Sequence, residues 1–382
     1  MPWIKMGPME QKIKLMIDWK TDHFSKTDLS LKYGISRKTV HKWLSRYVQY
    51  GIDGLKEYLR APKHCPHRTP ESIVNLVIQE KLKNRKRGPK KIRAQLQRQY
   101  SNIHWPASST IAYWLKKQGL IEKRKKRQHV PPYTQPFCDC DSPNAVWSID
   151  YKGQFHMKDS HVCYPLTVSD NYSRYLLRCY GIEGPRYELT RDVLISAFRE
   201  YGLPEAIRCD NGTPFAGRCV GGLSRLSIWW IRLGIMPERI DKGCPEQNGR
   251  HERMHRTLKD EALSPVADHL KEQRERFEIF RLDYNNNRPH EALNQQPPSS
   301  FYHKSNRPYV ENPSSPEYDL RHTIRSVRQK GAIKFKGNLY YLTKLLAGQP
   351  VALKEIADGQ WQIYYSFYPI ATLDLRKNKI IK

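Results

Sequence analysis

A chain of 382 residues has room for two to four domains, and its mean hydropathy of −0.76 is low for one large core. Its 66 Lys and Arg outnumber 38 Asp and Glu, giving a net charge of +28 and a field that draws a polyanion by counterion release. No apolar run approaches the roughly 20 residues needed to cross a bilayer, so no membrane partner is expected. The opening Met-Pro-Trp-Ile-Lys-Met lacks the apolar stretch of a secretory signal, which points to the cytoplasm.

The charge is uneven. Residues 1–136 hold 30 basic and 9 acidic side chains, a net of +21, so the N-terminal third is the expected face for nucleic acid. Residues 1–60 read as a helix-turn-helix domain. Gln11 to Trp19 and Thr27 to Tyr33 are predicted helices, Gly34-Ile35 turns the chain, and Ser36 caps a third helix from Arg37 to Tyr50. Val40, Trp43, Leu44 and Tyr47 recur at core spacing in that helix. Arg37, Lys38, His41, Lys42 and Arg46 occupy the other face, as residues entering a major groove would.

A similar unit is expected over 71–122, after a Pro-rich basic linker at 61–70. Glu71 to Asn84 and Lys90 to Tyr100 are predicted helices, and a third starts at a Ser108 or Ser109 cap and stops at Gln118-Gly119. Ile111, Trp114 and Leu115 face its core, while Thr110, Tyr113, Lys116 and Lys117 are candidate DNA contacts. A second linker, 123–142, opens with a basic block in which Arg124, Lys125, Lys126 and Arg127 are further candidates. The eight cysteines show no Cys-x-x-Cys spacing and are expected as free thiols. His64, Cys65, His67, Cys138 and Cys140 do not match a four-ligand zinc pattern.

Three carboxylates dominate residues 143–300. Ala145-Val-Trp-Ser-Ile-Asp and Cys163-Tyr-Pro-Leu-Thr-Val-Ser read as two strands of a hairpin, with Asp150 inside the first. Ala206-Ile-Arg-Cys is a short strand that stops at Asp210-Asn-Gly, a turn, which leaves Asp210 at a strand end. His251 to Leu263 reads as a helix with Glu252 in its first turn and Arg256 and Lys259 on the same face. Phosphodiester exchange uses two metal ions roughly 4 Å apart. Magnesium takes oxygen ligands, so carboxylates from distant segments are its expected holders.

With their flanking residues, Asp150, Asp210 and Glu252 resemble the integrase core of bacterial insertion-sequence transposases and retroviral integrases, and the Gly-Arg-His-Glu-Arg-Met-His-Arg-Thr-Leu-Lys stretch is the most specific part of the likeness. The resemblance implies an α/β ribonuclease-H-like core with a DDE catalytic triad. It implies a bacterial DNA transposase that binds the terminal inverted repeats of its element, nicks the ends with water, and attacks target DNA with the freed 3′-hydroxyls. Asp150 would bridge two magnesium or manganese ions, Asp210 and Glu252 would each hold one, and Arg256 and Lys259 would steady the scissile phosphate. Many family members place the glutamate closer to the second aspartate, where Glu246 stands. Glu252 is chosen because Glu246 lies in turn chemistry, between Cys244-Pro245 and Asn248-Gly249, whereas Glu252 begins a helix with a basic face. Asp170 is expected to be structural, and Trp229 and Trp230 to pack beneath the site.

A long helical region is expected from Glu252 to about Asn287. Residues 321–382 read as a small β-barrel, with hairpin turns at Gly337-Asn338 and Asp358-Gly359. Its Lys334, Lys336, Lys344 and Lys354 are candidate DNA contacts, and a self-assembly or packing module explains the domain equally well, since a few exposed lysines are ordinary surface. A homodimer or higher oligomer on DNA is expected, since an element has two ends, and a nucleoid-associated cytoplasmic location follows. The competing reading is a repressor derived from a transposase that binds DNA without cutting it. A structural packager of nucleic acid, which would bind without sequence preference, is disfavoured by two reading heads in tandem.

Overall fold

A computed structural model describes residues 7–58, 69–121, 140–217, 219–241 and 245–381. The chain divides into two units, Met1–Arg68 and Thr69–Lys382. The zinc candidates His64, Cys65, His67 and Cys138, and the basic block Arg124, Lys125, Lys126 and Arg127, lie outside the described residues. Four of the cysteines, Cys163, Cys179, Cys209 and Cys219, are free thiols.

Among the described residues the first unit has three α-helices, α1 (Pro8–Lys20), α2 (Lys26–Lys32) and α3 (Arg37–Tyr50), followed by a 3-10 turn over Gly51–Leu55. Ser25 and Asp28 form a capping box on α2, and the Ser36 hydroxyl accepts from the Thr39 N–H at 3.1 Å to start α3. Leu15, Met16, Leu29, Val40, Trp43, Leu44 and Leu55 make the core. Gly54 closes it: a Cβ there would stand 2.2 Å from the Arg46 carbonyl oxygen, so only glycine lets the chain return against α3.

The second unit begins with another three-helix group, α4 (Glu71–Lys83), α5 (Pro89–Gln99) and α6 (Ser108–Lys117). Ala107, not Ser108 or Ser109, occupies the N-cap of α6, so its first turn lacks the expected side-chain cap. Val77, Ile92, Leu96, Trp105, Ile111 and Leu115 are buried at its centre. Arg87, 1% exposed, ion-pairs with Asp283, and Arg98 donates to the Asn287 carbonyl at 2.8 Å, which fastens the group to the domain that follows.

That domain is a mixed sheet between helical layers. Its strands are β1 (Val146–Tyr151), β2 (Phe155–His156), β3 (Val162–Asp170), β4 (Leu176–Ile182), β5 (Ala206–Cys209) and β6 (Met236–Arg239). β3 lies antiparallel between β4 and β1, β5 and β6 extend the sheet parallel to β1, and short β2 pairs with the start of β3. Side chains alternate across the pleat. Trp147, Ile149, Leu166 and Val168 point to a core shared with α7 (Tyr187–Tyr201) and α8 (Arg225–Arg232), where Trp229 and Trp230 pack against the strands. Ser148, Asp150, Thr167 and Ser169 occupy the alternate positions.

The opposite layer is α9 (Gly249–Ala262) and α10 (Leu270–Asn286), whose Met254, Leu258, Phe277, Phe280 and Tyr284 pack on Cys163, Leu176 and Cys179. The helical region expected to about Asn287 is thus two helices, the first ending where the sequence placed it, near Leu263. Pro265 has no N–H for a helical bond, and α10 restarts where the His269 ring accepts from the Glu272 N–H. Asp170 is buried, and accepts from the N–H of Asn144 at 2.8 Å and from the N–H and hydroxyl of Ser173 at 2.7 and 2.6 Å. Ser173→Ala removes one of these bonds and is expected to cost about 1–2 kcal/mol in urea unfolding.

The remaining strands are β7 (Thr323–Ser326), β8 (Ala332–Phe335), β9 (Asn338–Tyr341), β10 (Pro350–Ala357), β11 (Gln360–Tyr365), β12 (Tyr368–Asp374) and β13 (Lys379–Ile381). Both expected hairpins form, β8–β9 and β10–β11. The expected barrel does not close: five strands run β13-β12-β11-β10-β7, and β8-β9 is a separate two-stranded sheet. The two sheets enclose one core, with Ile333, Phe335, Leu353, Ile363 and Tyr365 buried in it, and α8 plugs the assembly with Ile228 and Ile231. Packing against α8 supplies the burial that hydrogen-bonded closure would otherwise provide. Lys334, Lys336, Lys344 and Lys354 are exposed.

Candidate active site

Three elements converge on the polar face of the sheet. Asp150 lies near the end of central strand β1, in register with Thr167 of β3. Asp210 follows β5, the parallel neighbour of β1, at a chain reversal where the Gly212 N–H donates to its Oδ1 at 3.0 Å. A Cβ on Gly212 would lie 3.0 Å from Asp210 Oδ2, so glycine keeps the carboxylate uncrowded. Asn211 ties the same loop to the end of β6 by donating to the Ile240 carbonyl at 2.6 Å.

Glu252 sits in the first turn of α9. Buried Gln247, just before that helix, donates to Asp241 Oδ2 and accepts from the Asp241 N–H, both at 2.7 Å, which joins α9 to the segment after β6. Glu252, Arg256 and Lys259 are all exposed on α9, whereas His251, Met254, His255 and Leu258 are buried. The helix therefore presents an acid and two cations together on its solvent side.

Asp150 feels both other carboxylates. Burial, then the charge of Asp210 and more weakly that of Glu252, pushes its carboxyl up to about 7, against the Tyr151 N–H that donates to it at 2.7 Å. Among the described residues no three His, Cys, Asp or Glu side chains stand close enough to hold an ion as they are. The side chain of Glu246 lies outside the description.

A polar network not anticipated from the sequence ties α9 to the strands. The Thr167 hydroxyl donates to the Asp150 carbonyl at 3.1 Å and meets the Nε2 atoms of His251 and His255 at 2.7 Å each. Thr167 has one proton to give, so both Nε2 atoms must be donors. Ser169 then donates to His251 Nδ1 at 2.9 Å, and His255 Nδ1 is left with a bare lone pair 3.8 Å from Asp150 Oδ2. Burial holds His251 down to about 3 and His255 to about 2, with His251 adding to the latter, so both rings are neutral at pH 7. Their spacing was the available signal: His251, Met254, His255, Leu258 and Ala262 repeat at i, i+3, i+4, i+7 and i+11, the stripe of a buried helix face.

The candidate DNA contacts are distributed as follows. Arg37, Lys38, His41 and Lys42 are exposed on α3, while Arg46 is half-buried, its guanidinium 4.3 Å from the Tyr58 ring centre. Tyr113, Lys116 and Lys117 are exposed on α6 and Thr110 is partly so.

Comparison with known proteins agrees with this architecture. Residues 11–63 match the family described as "Helix-turn-helix domain", 141–245 and 233–298 match two "Integrase core domain" families, and 322–381 match "IS481 family transposase, C-terminal domain". A 31.7 kDa protein of insertion element IS407 from Burkholderia multivorans is 28% identical over 242 residues, 62% of this chain and 82% of that protein. A 39.2 kDa protein of insertion element IS476 from Xanthomonas euvesicatoria is 26% identical over 275 residues, 70% of this chain and 75% of that one. Both relatives are described as uncharacterized. Among solved structures, the HTLV-2 integrase catalytic core domain in complex with magnesium covers 42% of this chain and 98% of its own at 14% identity, with a TM-score of 0.34. The simian T-cell lymphotropic virus intasome in complex with PP2A regulatory subunit B56 gamma covers 72% and 97% at 15% identity, with a TM-score of 0.38. No helix among the described residues is long and apolar enough to cross a membrane. The chain is thus similar to insertion-element proteins and matches, in order, a helix-turn-helix domain, an integrase core and the C-terminal domain of IS481 family transposases.

Proposed function

We propose that this chain is a DDE-type DNA transposase that binds the terminal inverted repeats of its element, cleaves the 3′ ends and transfers them to target DNA. One observation carries the reading: Asp150, Asp210 and Glu252 come from three separate segments, and burial together with the charges of the other two lifts Asp150 to about 7. A DNA-binding surface without chemistry gains nothing from converging carboxylates, which repel phosphate.

The donor set fits magnesium or manganese, since all three side chains offer hard oxygen ligands and their mutual repulsion is what a divalent cation relieves. Two ions bound there would supply an activated attacking oxygen and neutralise charge on the leaving one. Asp150, central in the sheet, would bridge the two, with Asp210 and Glu252 each holding one. Arg256 and Lys259, on the Glu252 side of α9, would hold the scissile strand by charge-assisted contacts. Arg37, Lys38, His41, Lys42 and Arg46 of α3 and Thr110, Tyr113, Lys116 and Lys117 of α6 would read and position the end, with the basic block Arg124 to Arg127 on the backbone. Two element ends call for a homodimer or larger assembly on DNA, acting at the bacterial nucleoid.

The test is strand cleavage and joining on a labelled duplex carrying the DNA end that flanks the gene, in magnesium, manganese or EDTA. Metal-dependent nicking is expected for wild type and Glu246→Gln and is expected to vanish in Glu252→Gln. Tight binding by wild type without cleavage in either metal would replace this reading with the repressor.

A further inference from the structure

A groove of about 510 Å³ runs between α5, the start of α6 and the core loop at residues 294–296. Lys90, Arg93 and Arg98 line it with Ser108, Asn294 and Gln295, and no carboxylate does. A larger cleft of about 720 Å³ on α7 is lined by Arg191 and Arg199 together with Asp192, Glu200 and Glu311, whereas the smaller one is lined by cations, of which Lys90 is paired with Glu291 at 3.4 Å. The buried Nε of Arg93 has no hydrogen-bond partner, a costly state for a donor and one that an anion's oxygen would relieve. Asn294 and Gln295 hold left-handed φ values of 51° and 64°, braced where the Gln295 N–H donates to the His290 carbonyl at 2.8 Å. The first turn of α6 reaches the groove at Ser108 with no side-chain cap, so its N–H groups and the positive end of the helix dipole are available to an anion. Lys91 of α5 feels Arg253 of α9 and Arg288 as neighbouring cations, which continues the positive field toward the helix that bears Glu252.

We propose that this groove seats a phosphate of the DNA backbone, with Arg93 and the α6 N-terminus as donors, so that one duplex is gripped jointly by the second helical group and the catalytic core. The inference rests on the reading that the chain binds DNA and is independent of whether it cuts. It would fix the register between end recognition and cleavage without reading any base.

The experiment is fluorescence anisotropy of the full chain with a labelled duplex of unrelated sequence, in EDTA, across a salt series. Arg93→Gln is expected to weaken binding about tenfold, the loss of one charge-assisted bond, and to reduce the salt slope by about 0.9. Gln295→Glu places a carboxylate in the groove from the core side and is expected to weaken binding at least as much, so the test survives if Arg93→Gln misfolds. Lys271→Gln, an equal charge loss at an exposed position on α10, is expected to change nothing. Wild-type affinity and slope in folded Arg93→Gln and Gln295→Glu would overturn the seat, as would an equal effect of Lys271→Gln. Failure of wild type to bind any duplex, the terminal one included, would instead bring down the transposase reading itself.

Discussion

Asp210→Asn is expected to reduce strand cleavage by at least about 10³-fold while leaving duplex affinity equal or slightly tighter. The substitution keeps shape and the Gly212 N–H contact to the side-chain oxygen, but removes one charge from the group that would hold the ions. The lost stabilisation of charge on the reacting oxygens sets the scale of the rate effect. Less negative charge beside the phosphate explains why affinity does not fall with it. A second readout needs no DNA: saturating magnesium should stabilise wild type, by about 2.7 kcal/mol at a hundredfold excess over Kd, and Asp210→Asn should lose most of that gain in a thermal shift. Equal loss of cleavage and binding would mean that Asp210 supports the fold or the DNA surface rather than the chemistry.

Local signals in the sequence carried far. Ser36 before an amphipathic run marks the start of α3, the apolar alternation around Trp147 marks β1, and Asp210-Asn-Gly marks the end of β5, because each depends on neighbours within one turn or one pleat. The failures are those of longer range. The helix from His251 to Leu263 was legible, whereas the start of α10 beyond Pro265 was not marked within the helical region read to about Asn287. The C-terminal strands were legible but not their closure, because burial against Ile228 and Ile231 comes from a helix about a hundred residues earlier in the chain. The pairing of Arg87 with Asp283 has no sequence signature at all. In the candidate site the three carboxylates stood out by their flanking residues, whereas the histidines that fasten α9 were not singled out.

That fastening is the other large expectation. Thr167→Val keeps the shape and β-branching of the side chain and deletes the acceptor for two buried N–H groups, those of His251 and His255. Each unsatisfied donor costs about 1–3 kcal/mol, so urea unfolding should show a loss of about 2–6 kcal/mol. Cleavage should fall further than stability alone accounts for, because the same helix carries Glu252 and the same hydroxyl bonds to the backbone of Asp150. A helix released from β3 lets Glu252 drift from Asp150, and misplacement by about 1 Å is enough to cost on the order of 10²-fold in rate. Thr167→Ser retains the hydroxyl and is expected to recover most of the cleavage, at the price of a small cavity. The discriminating measurement is kcat against duplex affinity in conditions where each variant is fully folded. A fall in kcat with unchanged affinity, rescued by serine, assigns the threonine a positioning role. Wild-type kcat in folded Thr167→Val would show that Glu252 is held by the apolar face of α9, Met254 and Leu258, without help from the histidines.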